Sequence, residues 1–205
     1  MVKTRQPSYS FEQVVSSLNP LERQSLINGQ PLAHATGNRY IGQILIPVAH
    51  LHVWDVVTDY CQFASFLPSV ESSQVLVTEG DRTVVEQVAI LQVLMAKLRS
   101  RIRTENIETP QTRVDFRLIG GDLKALKGAW TLHSITFESV ESVDLTDSTN
   151  QPDFVLLRQS ARAEAGKGLL EGAFSMIFMS SMKENLTAIR QESMRRASVS
   201  PVPLT

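Results

Sequence analysis

The chain has 205 residues, of which 42% are hydrophobic and 20% charged, a composition typical of a folded globular protein and not of a disordered one. Its 20 Lys and Arg residues against 21 Asp and Glu residues give a net charge of -1, which excludes a global basic field for nucleic acid. The single cysteine, Cys61, excludes an intramolecular disulfide and favours a reducing, cytoplasmic location.

The N-terminal region, residues 1–37, is predicted to be an extension that contains one short helix. It lacks the continuous apolar core of a secretory signal, and we expect its first 17 residues to be loosely ordered. A helix over residues 18–28 is predicted from Asn19 as N-cap, Pro20 in the first helical position and Glu22 at the third. Gly29 would end this helix.

The main domain is predicted over residues 38–196 and begins with a strand at 39–46, which Pro47 ends. A helix at 48–61 and a short helical turn at 62–67 follow, and Pro68 closes the turn. The helical spacing places five residues on one apolar face, so Cys61 is expected to be a buried, unreactive thiol. These five are His50, Leu51, Trp54, Val57 and Cys61.

After Pro68 the hydrophobic period changes to two, which predicts antiparallel strands. The clearest alternation sets Val114 and Phe116 against Arg113 and Asp115, as in a strand with one dry and one wet face. The acidic segment 138–152 is predicted to be a long exposed loop. The predicted strands cover residues 71–79, 82–94, 98–108, 113–119, 129–137 and 153–164.

From residue 169 to about residue 196 the period returns to 3.6, and a long amphipathic helix is predicted. Residues 197–205 form a Ser- and Pro-rich tail, which we expect to be flexible. A twisted sheet of six or seven strands needs a cover for its concave face, and this helix provides one. The fold class is therefore α+β, with a cavity expected where a straight helix meets a curved sheet.

Several motifs in this order resemble the START-like (SRPBCC) superfamily, in its branch of polyketide cyclases/dehydrases and coenzyme-Q-binding proteins. They are Ile46-Pro47, VWDVVTDY at 53–60, FLPSV at 66–70, FRLIGGD at 116–122, GAWTL at 128–132 and LTAIR at 186–190. The resemblance implies a helix-grip fold, in which a curved antiparallel sheet wraps around a long C-terminal helix and two short helices follow the first strand. It also implies a cavity for a lipid, an isoprenoid, a quinone or a polyketide-like molecule.

The candidate ligand-binding residues are aromatic and aliphatic side chains on the short helices, the sheet and the long helix, as expected of an apolar pocket. The candidates are Trp54, Phe63, Phe66, Phe116, Trp130, Phe174, Ile177 and Phe178.

A second candidate surface is a basic stripe, Lys97, Arg99, Arg101 and Arg103, whose period of two places all four side chains on one face of a strand. The first interpretation is a solvated outer face whose charges are offset by acids on neighbouring strands. The second is docking on an anionic membrane surface, to which each basic residue contributes about 1 kcal/mol. Nucleic acid is the weakest alternative, because no aromatic residues alternate with the basic ones.

Binding or carriage of a hydrophobic small molecule, without a cofactor, is the function predicted first. A cyclase/dehydrase-type enzyme is the alternative, with His50, Asp59, Arg158 and Arg162 as candidates, although no recognisable catalytic constellation supports it. An interaction module with a filled interior is a third possibility. No metal site is predicted, since the spacing of the histidines fits no metal motif. The sequence does not indicate the oligomeric state.

Overall fold

A computed structural model describes residues 8–93, 96–137, 154–166 and 171–199 of the chain. The strands are β1 (Ser8–Ser10), β2 (Leu32–Thr36), β3 (Arg39–Ile46), β4 (Val70–Glu79), β5 (Arg82–Val93), β6 (Ala96–Thr109), β7 (Arg113–Gly121), β8 (Ala125–Thr136) and β9 (Phe154–Glu164). The helices are α1 (Phe11–Val15), α2 (Pro20–Ile27), α3 (His50–Val57), α4 (Phe63–Phe66) and α5 (Glu171–Val199), with a 3₁₀ turn at Tyr60–Gln62 before α4.

The nine strands form one sheet in the order β2-β3-β9-β8-β7-β6-β5-β4, and β1 pairs with β8 beside this path. All pairings along the path are antiparallel, whereas β1 runs parallel to β8. Because side chains alternate between the two faces of a strand, each strand contributes one set to an inner face and another to an outer face. The predicted α+β fold with a long C-terminal helix on an antiparallel sheet is confirmed.

Helix α5 lies on the inner face of the sheet and contacts β3 most closely. Gly42 of β3 has no side chain, and a Cβ there would lie 2.5 Å from Met182 Sδ, so the helix occupies the space that a side chain would need. Leu186 and Ile189 of α5 are buried in the same core as Ile44 and Leu157 of the sheet. This main core therefore lies between the helix and the inner face.

The N-terminal extension builds a second core on the outer face of the sheet. Phe11, Val15 and Leu26 of α1 and α2 pack against Leu45 of β3 and Leu156 of β9. The Phe11 ring also stacks on the Phe137 ring, with 4.7 Å between ring centroids. The extension thus covers one end of the outer face, close to the end of β8.

The structure corrects two expectations about the N-terminal region. Residues 8–15 were expected to be loosely ordered, but they form β1 and α1, which has a capping box between Ser10 and Gln13. The sheet has nine strands instead of six or seven, because β1 and the short strand β2 were not predicted. The capped helix after Asn19 is confirmed, with reciprocal hydrogen bonds between Asn19 and Glu22.

The predicted apolar face of the helix at 48–61 is only partly correct. Val57 is buried and Trp54 packs half-buried against the main core, as predicted, but Leu51 is 50% exposed and the other buried residues of the helix are Val53 and Val56. The helix ends at Val57 and a 3₁₀ turn follows, so Cys61 lies outside the helical stripe and is exposed rather than buried. The predicted acidic loop at 138–152 lies outside the described residues, as does most of the predicted tail.

A cluster of charged residues fastens the C-terminal end of α5 to the segment after α3. Arg196 donates to Asp59 at 2.9 Å and to Glu192 at 2.8 Å, while Arg195 donates to Glu192 at 2.7 Å. The hydrogen bond from Arg195 is the largest of the effects that lower the pKa of Glu192 to about 2, against an ordinary value of 4.5. The Glu192 carboxylate therefore stays charged far below neutral pH in the folded chain.

We expect the free energy of unfolding to decrease as the pH falls from about 4.5 towards 2. In this range Glu192 takes up a proton in the unfolded chain but stays ionised in the folded chain. A carboxyl whose pKa is lowered by folding stabilises the fold above its unfolded pKa and loses this effect as the pH falls through its folded value. Urea titrations over this range should give a smaller pH slope for Glu192→Gln than for the unmodified chain. Glu184→Gln, an exposed change on the same helix, serves as the control and should keep the full slope.

Candidate functional site

The interior contains a cavity of about 180 Å³ between the inner face of the sheet and α5. Strands β5, β6, β7 and β8 form its wall, α5 forms its roof, and the segment from Val57 to Val70 closes one side. The lining side chains are mostly apolar, which is the pattern of a small-molecule pocket. From α5 the cavity receives Phe174, Phe178, Ser181, Met182 and Asn185.

The residues from the sheet follow strand parity, because only every second side chain of a strand points inward. Val85, Gln87 and Ala89 come from β5, and Val114 and Phe116 come from β7. From β6 the cavity receives Ser100, Ile102, Thr104 and Asn106. None of the candidate ligand-binding residues lies on β5 or β6, although the alternation along each of these strands indicates which side chains face inward.

Five of the eight candidate ligand-binding residues line the cavity: Phe63, Phe116, Trp130, Phe174 and Phe178. The other three are placed elsewhere. Trp54 and Phe66 pack half-buried against the main core, and Ile177 is half-buried on α5. The Phe66 ring instead lies under the Arg196 guanidinium, 5.9 Å from ring centroid to Cζ. Ligand contact by the eight candidates stays a prediction. The geometry favours the five that line the cavity over the other three.

A small set of polar side chains interrupts the apolar wall. Asn106 donates from Nδ2 to the Thr83 carbonyl and to Thr104 Oγ1, both at 3.2 Å. Ser69 donates to Asn185 Oδ1 at 2.8 Å across the boundary between the sheet and α5. Gln159 of β9 also faces the cavity, and its amide has no hydrogen-bond partner within the described part of the chain. An unpaired amide at an apolar wall is suited to a polar group of a ligand.

Tyr60 is the ionisable side chain at the cavity wall, and its phenol donates to Glu108 Oε1 at 2.9 Å. Burial, followed by the negative charge and the hydrogen bond of Glu108, raises the pKa of Tyr60 well above its ordinary value. Thr83 also donates to Glu108, at 3.4 Å. The phenol therefore stays protonated at physiological pH, and its proton is held in the hydrogen bond to Glu108.

The four candidates for acid–base catalysis do not meet at the cavity. His50 contacts Ser134 Oγ at 3.1 Å and the Gln111 carbonyl, and Asp59 is paired with Arg196. Arg158 and Arg162 are exposed on the outer face of β9, since Gln159 and Ala161 of that strand face inward. Among the residues that the structure describes, those that line the cavity include no Asp, Glu, His, Lys or Arg.

Arg99, Arg101 and Arg103 of the basic stripe lie on the outer face of β6, and acids of neighbouring strands pair with two of them. Arg99 binds Glu71 at 2.6 Å and Arg103 binds Glu86 at 2.7 Å. Arg101 is exposed, and Lys97 lies opposite Gln92 of β5. These ion pairs favour the interpretation as a solvated, charge-balanced face, while docking on an anionic membrane stays a prediction.

No helix in the described ranges is long and apolar enough to cross a membrane. No group of three or more His, Cys, Asp or Glu residues in those ranges is arranged to hold a metal ion.

The sequence matches a family model described as polyketide cyclase / dehydrase and lipid transport over residues 46–190. This range includes most of the sheet, the short helices after β3 and the part of α5 that covers the cavity. The chain therefore belongs to this family, and the resemblance to the START-like superfamily is confirmed. A search of curated proteins found no match to the chain.

Solved structures with the same fold come from several bacteria. A START superfamily protein from Mycobacterium smegmatis is 10% identical with a TM-score of 0.61, covering 78% of this chain and 99% of that one. The Zhui aromatase/cyclase from Streptomyces sp. R1128 is 14% identical with a TM-score of 0.58, covering 84% and 99%. A STAR-related lipid transfer protein from Xanthomonas axonopodis is 13% identical with a TM-score of 0.56, covering 80% and 92%. At these identities the likeness shows the fold alone.

Proposed function

We propose that this chain binds and carries a hydrophobic small molecule, of the lipid, isoprenoid or quinone-like class, in the cavity between the sheet and α5. The observation that carries this proposal is the cavity itself, which lies between the sheet and α5 and has a mostly apolar wall. The family description, which includes lipid transport, and the fold likeness to a STAR-related lipid transfer protein support the same function. An interior cavity that side chains leave unfilled also argues against an interaction module with a filled interior.

The cavity volume limits what part of a ligand is enclosed. An apolar cavity of about 150 Å³ is large enough for a single benzene ring. The cavity here, about 180 Å³, therefore matches one ring or a short branched chain in the present conformation. A longer molecule would need the roof to move, and Phe178 and Met182 are roof side chains in position to do so. This size favours a quinone-like ring or an isoprene unit over a complete straight acyl chain.

The polar groups refine the ligand class further. The free amide of Gln159 and the ordered amide of Asn106 both lie on the sheet side of the cavity. A ligand with a carbonyl or hydroxyl group would satisfy Gln159, whereas a pure hydrocarbon would leave the amide unpaired. We therefore favour an apolar molecule with one oxygen-bearing end.

Carriage is favoured over catalysis by the chemistry of the lining. General acid–base catalysis works best with groups whose pKa lies near the operating pH. Tyr60, whose pKa is raised and whose proton is held by Glu108, does not meet this condition. A cyclase/dehydrase activity, which the family description also names, remains the second candidate and would appear as chemical change in a bound substrate.

The proposal can be tested with the two tryptophans of the chain, because Trp130 lines the cavity and Trp54 does not. Bromine quenches indole fluorescence only at contact range. We expect a bound, short brominated isoprenoid alcohol, which matches the size and chemistry of the cavity, to quench the Trp54→Phe variant, in which only Trp130 emits. The Trp130→Phe variant, in which only Trp54 emits, should be quenched much less at the same amount of bound probe.

Extraction of the probe from each variant establishes that binding is equal. Equal quenching of both variants would place the probe outside the cavity and contradict the proposal. Absence of saturable binding to the unmodified chain, for this probe and for a panel of quinones and isoprenoid alcohols, would contradict it as well.

A further inference from the structure

A second concave site lies on the outer face of the sheet, on the opposite side from the cavity. It is a groove of about 530 Å³ across β3, β9, β8, β7 and β6. The N-terminal extension covers the outer face near Leu45 and Leu156 and leaves this part open. Ile41 and Ile107, which are 37% and 36% exposed, contribute apolar surface to the groove, and Ser160 lies opposite Ile41.

The groove is crossed by a row of four basic residues, one from each of four adjacent strands, which we call the cation row. Arg39 on β3 lies opposite Arg162 on β9. Arg162 lies opposite Lys127 on β8, which in turn lies opposite Arg117 on β7. All four side chains are exposed and line the groove. Like charges directly opposite one another in a sheet repel, so this row is a feature that folding alone does not favour.

Carboxylates of the groove neutralise only one member of the cation row. Glu105 of β6 accepts from Arg117, and it also accepts from Arg82 at 2.7 Å. Asp115 pairs with Arg113 at 2.6 Å. Arg39, Lys127 and Arg162 form no ion pair with any residue that the structure describes. The groove therefore carries three uncompensated positive charges on three neighbouring strands.

We propose that the cation row is a binding site for the oligophosphate group of a soluble compound, separate from the interior cavity. Phosphoryl oxygens would accept from Arg39, Lys127 and Arg162, and the added negative charge would remove the repulsion among these three residues. Arg39 and Arg162 offer the planar fork that binds phosphate through two hydrogen bonds, and Lys127 adds a point charge on β8, at one end of these three strands.

The spacing of the row favours an extended anion over a single one. Adjacent strands lie about 4.8 Å apart, so three neighbouring strands distribute their charges over roughly 10 Å at the backbone. One carboxylate or one phosphate would reach two of the cations, whereas a chain of phosphates can reach all three. The charges line a recess instead of a protruding rim, which favours a soluble ligand over a flat membrane surface.

Calorimetric titration of the full chain with inorganic tripolyphosphate tests the proposal. Arg162→Gln is the test variant and Arg158→Gln its matched control: both arginines are exposed on the outer face of β9, but only Arg162 lines the groove. We expect saturable binding to the unmodified chain, a loss of roughly tenfold in affinity for Arg162→Gln, and little change for Arg158→Gln. Lys127→Gln should weaken binding to a similar extent.

Three results would overturn the proposal: no saturable binding of tripolyphosphate, equal weakening by Arg162→Gln and Arg158→Gln, or selective binding of phosphatidylglycerol vesicles in place of tripolyphosphate. The thermal midpoint of each variant without ligand provides the folding control. Removal of a repelling charge should leave this midpoint unchanged or raise it. Retention of a hydrophobic probe by Arg162→Gln would show that this site and the interior cavity are independent.

Discussion

Replacing Ala89 with phenylalanine is expected to abolish the binding of a hydrophobic ligand while the chain stays folded. Ala89 lies on β5, opposite Ser100 of β6, and both side chains face the cavity. A phenyl ring at this position would occupy much of the volume of about 180 Å³ that the ligand needs. We expect affinity to fall on the order of 100-fold, because the ligand would have to displace a packed side chain.

The stability of the same variant distinguishes a filled cavity from a damaged fold. Filling an existing cavity commonly leaves a protein as stable as before or makes it more stable. Ala64→Phe, an exposed change on α4, is the control and should retain full affinity. If Ala89→Phe folds normally and binds as tightly as the unmodified chain, the ligand does not occupy this cavity.

Replacing Gly128 with alanine should be one of the most damaging single methyl additions in the sheet. Gly128 of β8 lies opposite Ala161 of β9 and Phe116 of β7. A Cβ there would lie 2.0 Å from the Ser160 carbonyl oxygen and 2.8 Å from Ala161 Cα. Since both are backbone atoms, β8 and β9 would have to separate. We expect a loss of roughly 3 kcal/mol in the free energy of unfolding.

Urea denaturation measures this loss, and Gly120→Ala is the matched control. Gly120 also lies in a strand, β7, but a Cβ added there would meet no atom within 4 Å. The control should therefore change stability by less than about 1 kcal/mol. Equal effects of the two substitutions would mean that the close contact between β8 and β9 is not needed for stability.

The sequence predicted the main-domain elements well where a local pattern determines the structure. The alternation of Val114 and Phe116 with Arg113 and Asp115 predicts β7, because one face of that strand is dry and the other wet. The cap at Asn19 predicts the start of α2, because the side chain satisfies backbone groups that the helix leaves open. These signals lie within a few residues of each other and need no tertiary information.

The N-terminal elements could not be predicted because long-range contacts stabilise them. β1 has three residues and α1 has five, both too short for a periodic pattern. What stabilises them is pairing with β8 and the stacking of Phe11 on Phe137. The apolar face of α3 was only partly predicted, and long-range contacts again explain part of the difference: His50 contacts Ser134 and the Gln111 carbonyl, so it does not belong to the apolar face.

The candidate site was only partly predictable from aromatic content. Phe116, Trp130 and Phe178 were found because large aromatic residues tend to line apolar interiors. Ala89, Ser100 and the other small or polar residues of β5 and β6 were missed, because their residue types do not distinguish a cavity wall from a core. The cation row could not be predicted from the sequence either, because its members are far apart in the chain and only the strand register brings them together.

The most direct test of the proposed function is native mass spectrometry of the purified chain, followed by organic extraction and identification of the material it carries. We predict one bound molecule per chain, of the lipid, isoprenoid or quinone class and with an oxygen-bearing end. Ala89→Phe, purified in the same way, should be empty. A chain that is purified empty and takes up no lipid or quinone from a panel would contradict the proposal and favour the enzyme alternative.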